Sequence, residues 1–202
     1  MVTLTADEVK SFLSNISNSE HHALFKLAFA TGMRRSELLG LRWSDIDFKK
    51  STISISQTAL KIGSTAVISN TTKTTSSKRI IAIDTDTIQE LMKHKIAIDK
   101  RRIKTMNWIN NNLVFPGIKG NPRCPDEVSK LCKKYANSIG KPAFTMHGTR
   151  HTHATPLIEN GANMKAIQER LGHASFQETM DTYSHVTPKM EDDIVERIAK
   201  IF

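Results

Sequence analysis

Residues 30–57 read ATGMRRSELLGLRWSDIDFKKSTISISQ, and the apolar period changes part-way along. The first half is helical in pattern. An apolar run from His22 to Ala30 predicts a buried helix that stops at Gly32, and Arg34 to Leu41 predicts a short helix with Leu38, Leu39 and Leu41 on one side. From Thr52 the period is two: Thr52, Ser54 and Ser56 alternate with Ile53, Ile55 and Gln57, as a half-buried strand requires. Helices that give way to a short strand region point to a mainly α chain with a small antiparallel β-sheet, an α+β fold.

The flanks extend this pattern. Upstream, Thr5 and Glu8 form a capping-box signature for a helix carrying Val9, Phe12, Leu13 and Ile16 on one face. Downstream, Ala66 to Ser69 and Arg79 to Ile83 read as two more strands, with the polar string TTKTTSSK (71–78) as the hairpin tip between them. The helical period returns with Ile88, Leu91, Met92, Ile96 and Ile98, running into the basic string KRRIK. Residues 110–125 hold three Pro and two Gly, which predicts a loop. Helices are expected over 126–139, 146–159, 164–171 and 176–183, with Gly161 and Gly172 as breaks, and a last one over 189–202 after Pro188. Pro156 falls inside one of these. A proline there removes a donor and crowds the carbonyl of Thr152 at ~3 kcal/mol, so a kink or restart is expected.

With 202 residues the chain can bury a sizeable core. No apolar run approaches the ~20 residues that a membrane span needs, and MVTLTADEVK lacks the basic start and apolar middle of a signal peptide. Cys124 and Cys132 are too few for a disulfide framework and read as free thiols in a reducing cytosol, so a cytoplasmic location is expected. Lys and Arg outnumber Asp and Glu by 29 to 20, an excess that suits a densely anionic partner. Aromatics are only 6%, which argues against a single-strand binder built from stacking platforms.

Five scattered strings carry residues suited to phosphate chemistry: ATGMRRSELLGLRW, TTKTTSSKR, HGTRHTHAT, ERLGHAS and DTYSHV. Arginine forks meet phosphate oxygens in two places. His147 and Arg150 are spaced i, i+3 and share a helix face, and an imidazole can move protons near neutrality. Lys73 sits at a polar tip, with Lys78 and Arg79 as rival cations. The chain has two Tyr, Tyr183 in DTYSHV and Tyr135 in the amphipathic packing pattern KKYANS. His147, His151 and His153 crowd together, but no Glu lies between His147 and His151, so the H-E-x-x-H metal pattern is absent and no metal is expected.

In order and content these strings resemble those of the tyrosine recombinase family, the phage and transposon integrases, over nearly the whole chain. The resemblance implies the catalytic-domain fold of that family across residues 1–202. It also implies roles. Arg34, from the T-G-x-R box, and Arg150 clamp the scissile phosphate, with Arg35 the neighbouring decoy. Glu37 supports the site. His147 accepts the phenol proton or donates hydrogen bonds to the phosphate, His173 donates a hydrogen bond to the phosphate, Lys73 protonates the departing 5′ oxygen, and Tyr183 is the nucleophile that forms a 3′-phosphotyrosyl bond. The implied function is site-specific recombination (integration or excision) of double-stranded DNA without a metal or nucleotide cofactor. Implied too are a homo-tetramer on DNA, residues 189–202 as a C-terminal exchange helix, an accessory directionality factor, and DNA-binding domains upstream of this chain. Two alternatives stay open from the residues. One is a strand transferase like the type IB topoisomerases and telomere resolvases, and the other is a non-catalytic DNA-binding regulator.

Overall fold

The computed structural model describes residues 2–63, 65–69, 78–173 and 175. In chain order its elements are α1 (Ala6–Ser14), α2 (Ser19–Thr31), α3 (Arg35–Gly40), a 3-10 turn (Trp43–Asp45), β1 (Ile46–Asp47), β2 (Thr52–Ile55), β3 (Thr58–Ile62), β4 (Thr65–Ser69), β5 (Arg79–Ala82), α4 (Thr85–Lys104), α5 (Pro125–Ser138), α6 (Met146–Glu159) and α7 (Met164–Leu171). The expected class, mainly helical with antiparallel β-structure, is what forms, but the one small sheet expected is two among the described residues. Among the described residues no helix is long and apolar enough to cross a membrane. Lys73, Tyr183 and the expected helices over 176–183 and 189–202 lie outside the described residues.

Local chemistry starts the helices where the sequence suggests. The Thr5 hydroxyl accepts from the Glu8 amide at 3.3 Å, and the Glu8 carboxylate accepts from the Thr5 amide at 2.9 Å. This reciprocal cap satisfies two orphan donors of α1. Asn18 caps α2 and Asp84 caps α4 through their side-chain oxygens. The core then joins the helices. Phe12 of α1 is fully buried, and its ring meets Phe25, Phe29, Tyr135 and Phe144 edge-on at 5.1 to 6.1 Å. Burying such a side chain is worth roughly 1.5–3 kcal/mol, so this cluster fixes α1, α2 and α5 around one centre. Tyr135 is thus a packing residue, as its sequence pattern suggests, and its hydroxyl meets Nδ1 of His21 at 2.9 Å.

The strands pair differently from the expectation. β4 does not form a hairpin with β5. It pairs antiparallel with β3, Leu60 opposite Val67, while β5 pairs with β2, Ile53 opposite Ile81, in a three-stranded sheet β1-β2-β5. The sequence hides β3 because TALKI buries only Ala59 and leaves Leu60 and Ile62 exposed, so no apolar alternation marks it.

Pro156 does not break α6, which runs continuously to Glu159. The proline sits in the last turn on the solvent side, and only the Thr152 carbonyl loses a helical donor. The face that carries Ala154 and Ile158 packs on Ile167 and Leu171 of α7, and this burial holds the turn in place.

Candidate active site

The segment that follows α2, the start of α3, one residue of α5 and the first turns of α6 converge on one cleft of about 410 Å³. Arg34, Arg35, Ser129, His147 and Arg150 are among its lining residues. Three of the sequence-predicted residues, Arg34, His147 and Arg150, therefore meet there.

The position of Arg34 follows from how α2 stops. Gly32 adopts a left-handed conformation (φ 64°) and ends the helix, and Arg34 becomes the N-cap residue of α3. Glu37 reaches back, its Oε2 accepting from the Arg34 amide at 2.8 Å. The Arg34 guanidinium donates to Glu37 Oε1 at 3.2 Å and to the Gly172 carbonyl at 2.9 Å. Gly172 ends α7 in the same left-handed form (φ 67°) and immediately precedes His173, a buried residue. His173 is not among the residues that line the cleft, and the carbonyl just before it accepts from Arg34.

Arg150 is 3% exposed, so its charge is almost wholly removed from water. Its Nη1 donates to the Gly32 carbonyl at 2.9 Å. The same glycine that ends α2 thus tethers the second arginine two residues from the first. His147 stands one helical turn before Arg150, exposed at the cleft, with its ring 4.8 Å from that of His151. Among the described residues no group of three or more His, Cys, Asp or Glu is arranged to hold a metal.

Behind the cleft lies an ionic layer that the sequence did not reveal. Glu37 is 3% exposed and takes both Nη atoms of Arg79, each at 2.9 Å. Burial alone would push the Glu37 carboxyl up, but the Arg79 fork, the Arg34 amide and the Arg34 charge outweigh it and hold it below the usual range. Arg79 Nε donates to the Arg170 carbonyl at 2.7 Å. Three of its N–H donors thus join β5 to α3 and α7. Arg170 in turn donates to the carbonyls of Ala82 and Ala30 and, through Nε, to His153 Nε2 at 2.9 Å. Because His153 Nε2 accepts, its Nδ1 carries the proton and donates to the Phe29 carbonyl at 2.8 Å. Burial, and after it the Arg170 charge, push this imidazole down to about 4. His153 is therefore a neutral structural link, and the triple-histidine string divides into an exposed His147 and two inward-facing partners.

Arg35, the decoy, turns to α5. Its Nη1 donates to Ser129 Oγ and, at 3.3 Å, to the Pro125 carbonyl. No sequence signal pointed to Ser129.

Residues 2–190 match the Phage integrase family. This chain belongs to that family. Among relatives of this integrase-family chain, a "Tyrosine recombinase XerC-like" protein of Caldanaerobacter subterraneus subsp. tengcongensis is 32% identical over 99% of the chain and 54% of the relative. The "Integrase" of Staphylococcus phage L54a is 32% identical over 96% and 57%. The chain thus spans just over half the length of these two relatives. Its fold overlays the Tn1549 transposon integrase, solved in complex with transposon right end DNA, with a TM-score of 0.81 and 27% identity, covering 98% of this chain and 66% of that one. XerA recombinase shares the fold at a TM-score of 0.73.

Proposed function

We propose that this phage integrase family chain is the catalytic part of a site-specific DNA recombinase that cuts and rejoins double-stranded DNA through a 3′-phosphotyrosyl intermediate. The observation that carries the reading is the meeting of Arg34, His147 and Arg150, from distant parts of the chain, in one cleft. Arg34 and Arg150 neutralise charge as it builds on the non-bridging phosphate oxygens, and their tethers to Glu37 and to backbone carbonyls set the forks in place before the reaction. His147 and His173 supply hydrogen bonds or proton transfer. The Tyr183 phenolate oxygen bonds to phosphorus as the bond to the 5′ oxygen breaks, and Lys73 gives that oxygen its proton. A 5′ hydroxyl of the partner duplex then attacks phosphorus and releases Tyr183, so the bond count is kept and no nucleotide cofactor is consumed.

The net charge of +9 suits a polyanionic partner, and the Tn1549 relative is a DNA-bound integrase. In this reading residues 1–202 form one catalytic domain, four copies act on two duplexes, and residues 189–202 pass to a neighbouring copy. An accessory directionality factor sets integration against excision.

The test is incubation with nicked duplex DNA carrying the attachment site, followed by a denaturing gel. A covalent adduct is expected, undiminished by excess chelator. Arg150→Ala should slow its formation by about 10²-fold or more, as loss of a transition-state donor does. Cleavage that needs added magnesium or zinc, or no adduct at all, would overturn the proposal.

A further inference from the structure

We propose that a pocket between α2 and α5, with Arg123 at its base, is a phosphate-binding site separate from the catalytic cleft. On α5 the two sites use different faces. Glu127, Lys130, Leu131 and Lys134 follow i, i+3, i+4, i+7 spacing and line this pocket, whereas Ser129 lines the cleft. The pocket encloses about 410 Å³, room for more than ten waters at ~30 Å³ each.

Arg101 and Arg123 converge on one carboxylate, Glu20. Arg101 Nη1 takes both of its oxygens, at 2.8 and 2.6 Å, and Nη2 donates to the carbonyls of Pro116 and Gly117. Arg123 reaches Glu20 only at 3.7 Å and makes no hydrogen bond among the described residues, although it is only 9% exposed. Burial is the main influence on its guanidinium and draws its pKa below the ordinary value. Glu20 opposes this, the nearby Arg101 charge adds to it, and Glu127 opposes it more weakly. Buried charges are normally paired and hydrogen-bonded. The fork of Arg123 has only the long ion pair with Glu20 and no hydrogen bond among the described residues, and it lines a pocket bordered by two exposed lysines and His21.

The lining favours phosphate over carboxylate. One carboxylate would occupy the Arg123 fork and leave both ammonium groups idle, with Glu127 the one acid on the lining. A phosphate has further oxygens, so it can engage the fork and the lysines together. The phosphate is either a DNA backbone phosphodiester or a free phosphate. The site does not depend on the recombinase reading, since none of its residues lines the cleft.

The experiment titrates inorganic phosphate into the intact chain and follows backbone amides by NMR. Saturable shifts are expected at Arg123, Glu127 and Lys134, and Lys130→Ala/Lys134→Ala should weaken binding roughly tenfold. Both lysines are exposed, so this variant keeps the test valid even if Arg123→Gln fails to fold. A second arm measures duplex DNA affinity against salt. If the natural phosphate belongs to DNA, the double variant lowers the slope of log K on log salt by close to two, at ~0.9 per contact, and duplex displaces inorganic phosphate. If the slope is unchanged and phosphate still binds beside bound duplex, the ligand is free phosphate. Absence of saturable shifts at these amides, or equal affinity in the double variant, overturns the proposal.

Discussion

Arg79 lays its guanidinium fork across Glu37, both contacts at 2.9 Å, with the two side chains 7% and 3% exposed. The pair joins β5 to α3 directly behind the cleft. Glu37 also holds the backbone and the side chain of Arg34, so the ion pair and the proposed phosphate clamp form one unit.

Removing one side of this pair leaves a buried charge without its partner. Arg79→Ala is expected to cost about 3–5 kcal/mol, read as a lower midpoint in urea unfolding. Glu37→Gln should destabilise too and should slow adduct formation in the fraction that remains folded. A loss below ~1 kcal/mol for Arg79→Ala would mean that the pair contributes no more than a surface bridge.

Gly172 joins three functions in one residue. Its φ is 67°, a built Cβ would lie 2.8 Å from Arg79 Nη1, and its carbonyl accepts from Arg34. Gly172→Ala should therefore reduce both stability and cleavage. Gly140 has a similar φ of 70° with nothing near its Cβ position, so Gly140→Ala should cost only the backbone term of about 1 kcal/mol and leave cleavage intact. Equal effects on cleavage would show that the crowding at Arg79 is irrelevant.

Stability should fall on mild acidification. The folded pKa of His153, about 4, lies below its ordinary 6.5. The unfolded chain therefore takes up a proton first, and the stabilisation is complete above pH 6.5 and is lost as pH falls from 6.5 toward 4. The loss from this group is at most roughly 3 kcal/mol, at 1.36 kcal/mol per pH unit. Glu37, held below its ordinary range, has the same sign but acts lower, beneath about 4.5. Melting temperatures across pH 7 to 4.5 test this. His153→Gln should flatten the upper part of the curve, and an unchanged curve would dissociate His153 from the acid response.

The two tyrosines should separate stability from chemistry. Tyr135→Phe loses the hydroxyl contact with His21, which costs about 1 kcal/mol, and keeps the covalent adduct. Tyr183→Phe should keep DNA binding and lose the adduct. An adduct in Tyr183→Phe would end its assignment as the nucleophile.

Where local chemistry decides the structure, the sequence was legible. The Thr5 cap and the ends of α6 and α7 fall where cap residues and glycines predict, and the cleft residues Arg34, His147 and Arg150 stand in recognisable strings. What stayed hidden depends on distant partners. The pairing of β4 with β3 turns on a strand whose side chains mostly face outward. The pairing of Arg79 with Glu37 spans 42 positions, and in sequence Arg79 is one cation among several in a basic string. The buried state of Arg123 likewise leaves no mark on the sequence around it.

Arg150 is secured by an oxygen that no substitution can delete. Every amino acid at position 32 would carry the same carbonyl, so the tether is immune to loss by ordinary side-chain replacement. What can change is its aim. A side chain at position 32 would strain the left-handed backbone and press on His153 Cδ2 at 2.8 Å. Variation at this point would therefore misdirect the second arginine and leave its own codon untouched, so a defect that looks catalytic could map to a residue with no functional group at all.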